Sequence, residues 1–154
     1  WEQTEGGIDV FVTGVGTGGT ITGTARYLKS RKPEIEIVGA DPEGSIYTQG
    51  PDGDIHQYLV EGVGEDFYPE TVDLGIIDRF IEVDDTRSFQ AGRELARSEG
   101  ILTGGSGGLA VHAARLVAEE DTDRLVVVIV PDSGRGYLSK MYDDDWMERH
   151  GFEG

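Results

Sequence analysis

One segment does most to limit what this chain can become. Residues 13–23 read T-G-V-G-T-G-G-T-I-T-G, between a β-branched apolar stretch at residues 8–13 and a helical pattern at residues 20–31. The run Ile8-Asp9-Val10-Phe11-Val12 has the composition of a buried strand, and Ile21, Ala25 and Leu28 fall on one helical face. A glycine-rich turn from strand to helix gathers backbone N–H groups at the positive end of a helix dipole. That is a ready site for a phosphate.

Strand and helix signals alternate through the rest of the chain. Residues 35–40 read as a second strand, ended at Asp41-Pro42 because proline cannot donate to a sheet ladder. Residues 43–74 carry turn signals such as Gly50-Pro51-Asp52-Gly53 and Gly62-x-Gly64, and are expected to be irregular apart from an extended piece near residues 58–61. Arg79–Val83 reads as a strand. Asp84 or Asp85 then caps a helix running to about Ser98, with Phe89, Leu95 and Ala96 inward and Gly100 as its stop.

Residues 101–103 lead into Gly104-Gly105-Ser106-Gly107-Gly108, followed by a helix over residues 109–120, a strand over 125–130 and a last helix over 143–150. This alternation predicts an α/β fold of three layers, a largely parallel sheet flanked by helices. Ligands of such sheets sit at the carboxyl ends of strands. The glycine-rich turns at 14–19, 104–108 and 134–136 each follow a strand-like stretch and are expected to converge there.

Composition narrows the chemistry. The 154 residues suit one domain, and the absence of cysteine excludes disulfides, thiolate catalysis and cysteine-ligated zinc. No apolar run reaches membrane-spanning length and nothing resembles a signal peptide, so a soluble cytoplasmic protein is expected. Thirty acidic against 13 basic residues give a net charge of −17, which repels nucleic acid and anionic membranes. Lysine is confined to Lys29, Lys32 and Lys140. An acidic, lysine-poor surface suits a halophilic cytoplasm, where screening relieves self-repulsion; a melting temperature that did not rise between low and molar salt would refute that origin. The chain opens at Trp1 and enters a core strand almost at once, so residues 1–154 read as one partial domain of a larger protein.

Three readings of the glycines compete. Gly14-x-Gly16-x-x-Gly19 fits a dinucleotide fingerprint, with Asp41 at the end of the next strand as the ribose partner. Against it, Thr17 and Thr20 add hydroxyl donors suited to a terminal phosphate, and Asp41 runs into a further loop, Pro42-Glu43-Gly44-Ser45. Gly104-x-Ser106-x-Gly108, with Asp132 and His150 following, has the order of a serine hydrolase. Residues 101–103 are short for the strand of a nucleophile elbow, though, His150 reads as a surface residue, and His112 points away from Ser106. In the third reading the glycines are only tight turns and Ser106 merely caps the helix after it.

A resemblance adds a fourth. Residues 16–23, G-T-G-G-T-I-T-G, resemble the phosphate loop of the cystathionine β-synthase and cysteine synthase family, pyridoxal-phosphate enzymes of fold type II. Asp41-Pro42-Glu43-Gly44-Ser45, residues 61–67 (E-G-V-G-E-D-F), residues 104–108 and Pro131-Asp132-Ser133 follow in that family's order and spacing. The tail from Tyr137 to Phe152 is closer to the cystathionine β-synthase branch. The resemblance covers nearly the whole chain and implies the C-terminal part of a catalytic core, most of its large cofactor-binding domain.

It further implies that Gly16, Thr17, Gly18, Gly19 and Thr20 hold the phosphate of pyridoxal 5′-phosphate, that Ser106 meets the pyridine nitrogen, that Pro131 and Asp132 line the far side of the ring, and that Gly62 and Gly64 form a substrate loop. A hydroxyl at the pyridine nitrogen leaves it largely unprotonated, a milder electron sink suited to β-replacement. The implied reaction joins serine or O-acetylserine with homocysteine or sulfide, in a homodimer, and depends on a Schiff-base lysine that this chain lacks. Lys29 and Lys32 end a helix, where capping and solvation are expected, and Lys140 does not match the catalytic motif. The chain alone is therefore expected to be inactive. A non-catalytic module that keeps the phosphate cradle is the alternative from another class. Glu65 departs from the family pattern, standing where some members have tyrosine.

Overall fold

The computed structural model describes residues 1–152. Strand β1 (Val10–Gly14) leads into helix α1 (Gly19–Arg31), then β2 (Glu36–Pro42), the one-turn α2 (Ile46–Gln49), β3 (Arg79–Val83), α3 (Asp85–Glu99), α4 (Gly105–Glu120), β4 (Val126–Val128) and α5 (Asp144–Arg149). The four strands form one sheet in the order β3-β2-β1-β4, every pair parallel.

Side-chain alternation along the strands builds two cores. Val10 and Val12 of β1 and Val38 and Ala40 of β2 face Leu109, Ala113 and Val117 of α4 and Phe89 of α3. Phe11 and Ile37 face Ile21, Ala25 and Leu28 of α1 on the other side. With helices on both faces, the middles of these strands, Val10–Val12 and Ile37–Ala40, carry no polar side chain, as buried parallel strands require. The three-layer α/β architecture is as the alternation predicts.

Several local expectations change. Residues 58–61 pair with no strand; the N–H groups of Leu59 and Val60 donate instead to the Asp85 carboxylate, at 2.7 and 2.9 Å. The region expected to be irregular contains α2 and a single 3-10 turn at Leu74–Ile76. Residues 101–103 form no strand, and β4 is shorter than residues 125–130. Asp84 caps α3 by accepting from the Arg87 N–H, and Gly100 ends it in the left-handed region. Its buried face, however, is Ser88, Phe89, Ala91 and Gly92, with Leu95 and Ala96 only half-buried.

Ion pairs gather at the amino ends of the strands. Glu36, opening β2, receives both Arg79 of β3 and Arg124 before β4, and Arg79 also grips Glu120 at the end of α4. Lys32 pairs with Asp9 at 2.8 Å and Lys29 with Asp78 at 2.7 Å. These lysines are therefore not solvated caps: they tie the end of α1 to the sheet.

Candidate functional site

The opposite edge of the sheet, at the carboxyl ends of the strands, carries the site. Beyond Gly14 the chain turns through residues 15–18 into α1. Gly18 has φ of 80° and Val72 occupies the place of its missing β-carbon, so only glycine fits there. α1 begins with no side-chain cap and no acidic residue in its first turn, and its first bond is Thr22 N–H to the Gly18 carbonyl at 3.0 Å. The N–H groups of residues 17–21 find no acceptor among the described residues. The carbonyls of the same loop are engaged: the Tyr47 hydroxyl donates to Gly16 O at 2.6 Å, and the Thr71 hydroxyl donates to Thr17 O. Acceptors tied back and donors left free are what an anion needs at a helix N-terminus.

A second loop completes the wall. The Gly64 N–H donates to Val15 O at 2.7 Å, and the Val63 side chain fills the space over Gly14. Gly16, Thr17, Gly18, Gly19, Thr20, Gly62, Gly64 and Pro131 thus line one cavity of about 440 Å³, together with Thr13, Val63, Glu65 and Ile129. That is the size range of a small-cofactor site.

Two other expected site residues lie outside that wall. Ser106 is the second residue of α4 and 4% exposed, with its carbonyl 3.9 Å from where a β-carbon on Gly14 would stand. It is not the helix cap, which is Gly104. Asp132 turns toward the 103–104 turn, accepting from Gly104 N at 2.8 Å and from the Thr103 hydroxyl at 3.2 Å. It orders the start of α4.

The geometry removes two competing readings. Asp41 is fully buried and bound to Thr48, out of reach of any ribose. No histidine meets Ser106. His112 is half-buried on the other side of α4, and burial, then Arg87 and Arg115, push its pKa down. His150 stacks on Trp146 at 4.1 Å. None of the three lysines lines the cavity, and Lys140 pairs with Glu61.

Tyr47, Thr71 and Val72, which shape the loop of residues 15–18, are not among the expected site residues. They lie in the turn-rich stretch, where the signal was the aromatic and β-branched content of Ile46-Tyr47 directly after Ser45.

A parallel α/β domain whose carboxyl edge offers neutral donors and a helix dipole defines a class, that of phosphate-ligand-binding domains. Comparison with known proteins sharpens it. The pyridoxal-phosphate dependent enzyme family matches residues 1–132, and the chain belongs to that family. It is 44% identical over 155 residues to cystathionine beta-synthase of Apis mellifera, covering 99% of this chain and 31% of that protein. It is 45% identical over 147 residues to the Saccharomyces cerevisiae cystathionine beta-synthase, covering 90% of this chain and 29% of that protein. The crystal structure of an O-acetylserine dependent cystathionine beta-synthase from Helicobacter pylori superposes with a TM-score of 0.84 at 38% identity, over 90% of this chain and 45% of the other. The chain spans about a third of the length of these curated relatives.

The family's cofactor is pyridoxal phosphate, and the donor set fits its phosphate. The first turn of α1 holds no carboxylate to oppose a dianion, and a β-carbon at Gly19 would meet nothing within 4 Å. Among the described residues no helix is long and apolar enough to cross a membrane, and no group of acidic or histidine side chains could hold a metal ion.

Proposed function

We propose that this chain is the cofactor-binding portion of a pyridoxal-phosphate-dependent β-replacement enzyme of sulfur amino-acid metabolism. It would join serine or O-acetylserine with homocysteine or sulfide, in a cytoplasmic homodimer. The free N–H groups of residues 17–21, at a helix start without a carboxylate, are the observation that carries this.

When bound, the cofactor supplies an electron sink for cleavage at the substrate's α-carbon. The chain's own residues position it. Gly16, Thr17, Gly18, Gly19 and Thr20 hold the phosphate through N–H groups and the Thr17 and Thr20 hydroxyls, without a lysine. The Ser106 hydroxyl, which has no partner among the described residues, is available to the pyridine nitrogen. Pro131, in the cavity wall, would line the far side of the ring, with Asp132 next to it fixing the turn into α4. Gly62 keeps the substrate side of the cavity free of side chains, a β-carbon there meeting nothing within 4 Å, whereas Gly64 makes room for Tyr58 and Pro42 behind the loop.

The proton-moving lysine of the family reaction has no counterpart here. Lys29 and Lys32 are paired at the amino edge of the sheet, and Lys140 lies outside the cavity. The 154 residues by themselves are therefore proposed to be inactive, the lysine and the substrate-carboxylate loop being supplied from outside them.

Fluorescence titration tests this. Pyridoxal 5′-phosphate is expected to bind and pyridoxal, lacking the phosphate, to bind at least about tenfold more weakly, the effect of losing one set of charge-assisted hydrogen bonds. Equal binding of the two would overturn the phosphate assignment. Formation of cystathionine or cysteine by the chain alone would overturn the proposed inactivity.

A further inference from the structure

The carboxyl of Asp41 has no part in the site so far. It stands near the end of β2 with its residue 0% exposed. Its Oδ2 accepts from Thr48 N at 3.1 Å and lies 2.9 Å from the Thr48 hydroxyl. Its Oδ1 is buried with no hydrogen-bond partner. The Thr48 hydroxyl also lies 3.0 Å from Oε2 of Glu82 on β3, an oxygen that Gln49 reaches as well.

A hydroxyl carries one hydrogen, so Thr48 can donate to one of these two carboxylates but not to both. The second short contact becomes a hydrogen bond only if a carboxyl proton lies in it. Burial argues for the same proton. An ionised carboxylate with one oxygen unpaired in the interior is far costlier than a neutral carboxyl with its carbonyl oxygen unpaired. Burial first, aided by the charge of Glu82 and opposed by the nearby Ser45 hydroxyl and by the hydrogen bonds from Thr48, pushes the Asp41 carboxyl up to about 6. The other groups around it are Tyr47 of α2 and Tyr58 of the following loop, with Glu65 near both tyrosines. Burial pushes Tyr47 up to about 12, so it stays a hydroxyl donor throughout.

Thr48 belongs to α2, and α2 carries the contact that matters. Tyr47 donates to Gly16 O at 2.6 Å, and its ring stacks on Phe80 at 5.4 Å. The Ile46 N–H donates to Glu65 O at 2.9 Å. One helical turn is therefore held at its start by the wall of the cavity and at its end by Asp41 and Glu82. Its middle fixes the phosphate loop.

We propose that Asp41 is a positioning residue for the phosphate loop: a proton shared between Asp41 and Glu82 through Thr48 holds α2 in place, and its loss loosens the grip of Tyr47 on Gly16. This rests on the assignment of that loop to the cofactor phosphate. The sign follows from the direction of the shift. Folding raises the proton affinity of Asp41, so its contribution is complete below its ordinary value of 3.8 and is lost as pH rises through about 6.

The test is pyridoxal 5′-phosphate affinity, by fluorescence titration from pH 5 to 8, in the wild-type chain and three variants measured side by side so that titration of the ligand cancels. Relative to Asp41→Asn, the wild type is expected to lose about tenfold in affinity across this range, the size of one unit of linked proton affinity. Tyr47→Phe is expected to bind more weakly and to lose the wild-type pH dependence, because the link is cut beyond the carboxyls. Glu82→Gln is expected to move the midpoint to lower pH by removing a neighbouring charge. Parallel curves for wild type and Asp41→Asn, or a wild-type profile in Tyr47→Phe, would overturn the proposal. Should Asp41→Asn fail to fold, an unmoved midpoint in Glu82→Gln overturns it equally. A chain that binds no pyridoxal phosphate at any pH breaks the functional assignment instead. In that case the melting temperature of wild type against Glu82→Gln, followed over the same pH range, decides whether the shared proton exists.

Discussion

Two glycine-rich segments look alike in this chain and serve different ends. In residues 14–20 Gly14 and Gly18 admit Val63 and Val72, but Gly19 faces open space and the N–H groups around it have no acceptor among the described residues. In residues 104–108 the glycines make room for protein. A β-carbon on Gly107 would run into the Thr103 hydroxyl, and one on Gly108 would run into the Ser88 carbonyl of α3. The second segment is where two helices approach backbone to backbone. Glycine content alone does not separate a binding loop from a packing seam, whereas the fate of the neighbouring N–H groups does.

Substitutions can break this contrast. Gly108→Ala is expected to have the largest effect on stability, about 3 kcal/mol, because overpacking here meets backbone and not a movable side chain. A urea midpoint within error of wild type would show that α3 and α4 can part at little cost. Gly18→Ala is expected to cost about 1–2 kcal/mol for the left-handed backbone and to weaken pyridoxal phosphate binding as the loop shifts off Val72. Loss of stability with binding intact would place Gly18 on the packing side of the comparison. Gly19→Asp is expected to change stability by less than about 0.5 kcal/mol, since an acidic residue suits a helix's first turn. It should nevertheless abolish phosphate binding by repulsion. Retained binding would mean that the free N–H groups are not the phosphate site.

Sequence patterns found the framework more readily than the fittings. Arg79–Val83 was legible to the residue because an aspartate pair follows it and caps the next helix. The strand–turn–helix around Gly16 was legible because its three signals agree. The start of α4 was not: glycine disfavours helices, so the pattern points to residue 109, yet packing against α3 puts Gly105, Gly107 and Gly108 inside the helix. Four-residue α2 has no periodicity to read, and with it went Tyr47 and the link to Asp41. That Gly16–Thr20, Gly62, Gly64 and Pro131 come to line one cavity was legible because they belong to ordered motifs. The contact of Asp132 with Gly104 spans 28 residues and leaves no local trace.

The clamp of Glu36, Arg79, Arg124 and Glu120 stitches three strands and a helix together at one rim of the sheet. Each partly exposed pair is worth little alone, but shared carboxylates couple them. Among the described residues the glycine loops at the other rim carry the exposed Lys140–Glu61 pair but no network of shared carboxylates. Local opening should therefore start at the rim of the glycine loops, the proposed cofactor side, with the far rim acting as the hinge about which the sheet recloses. Ligand entry could then proceed through a fluctuation that never reaches the two cores.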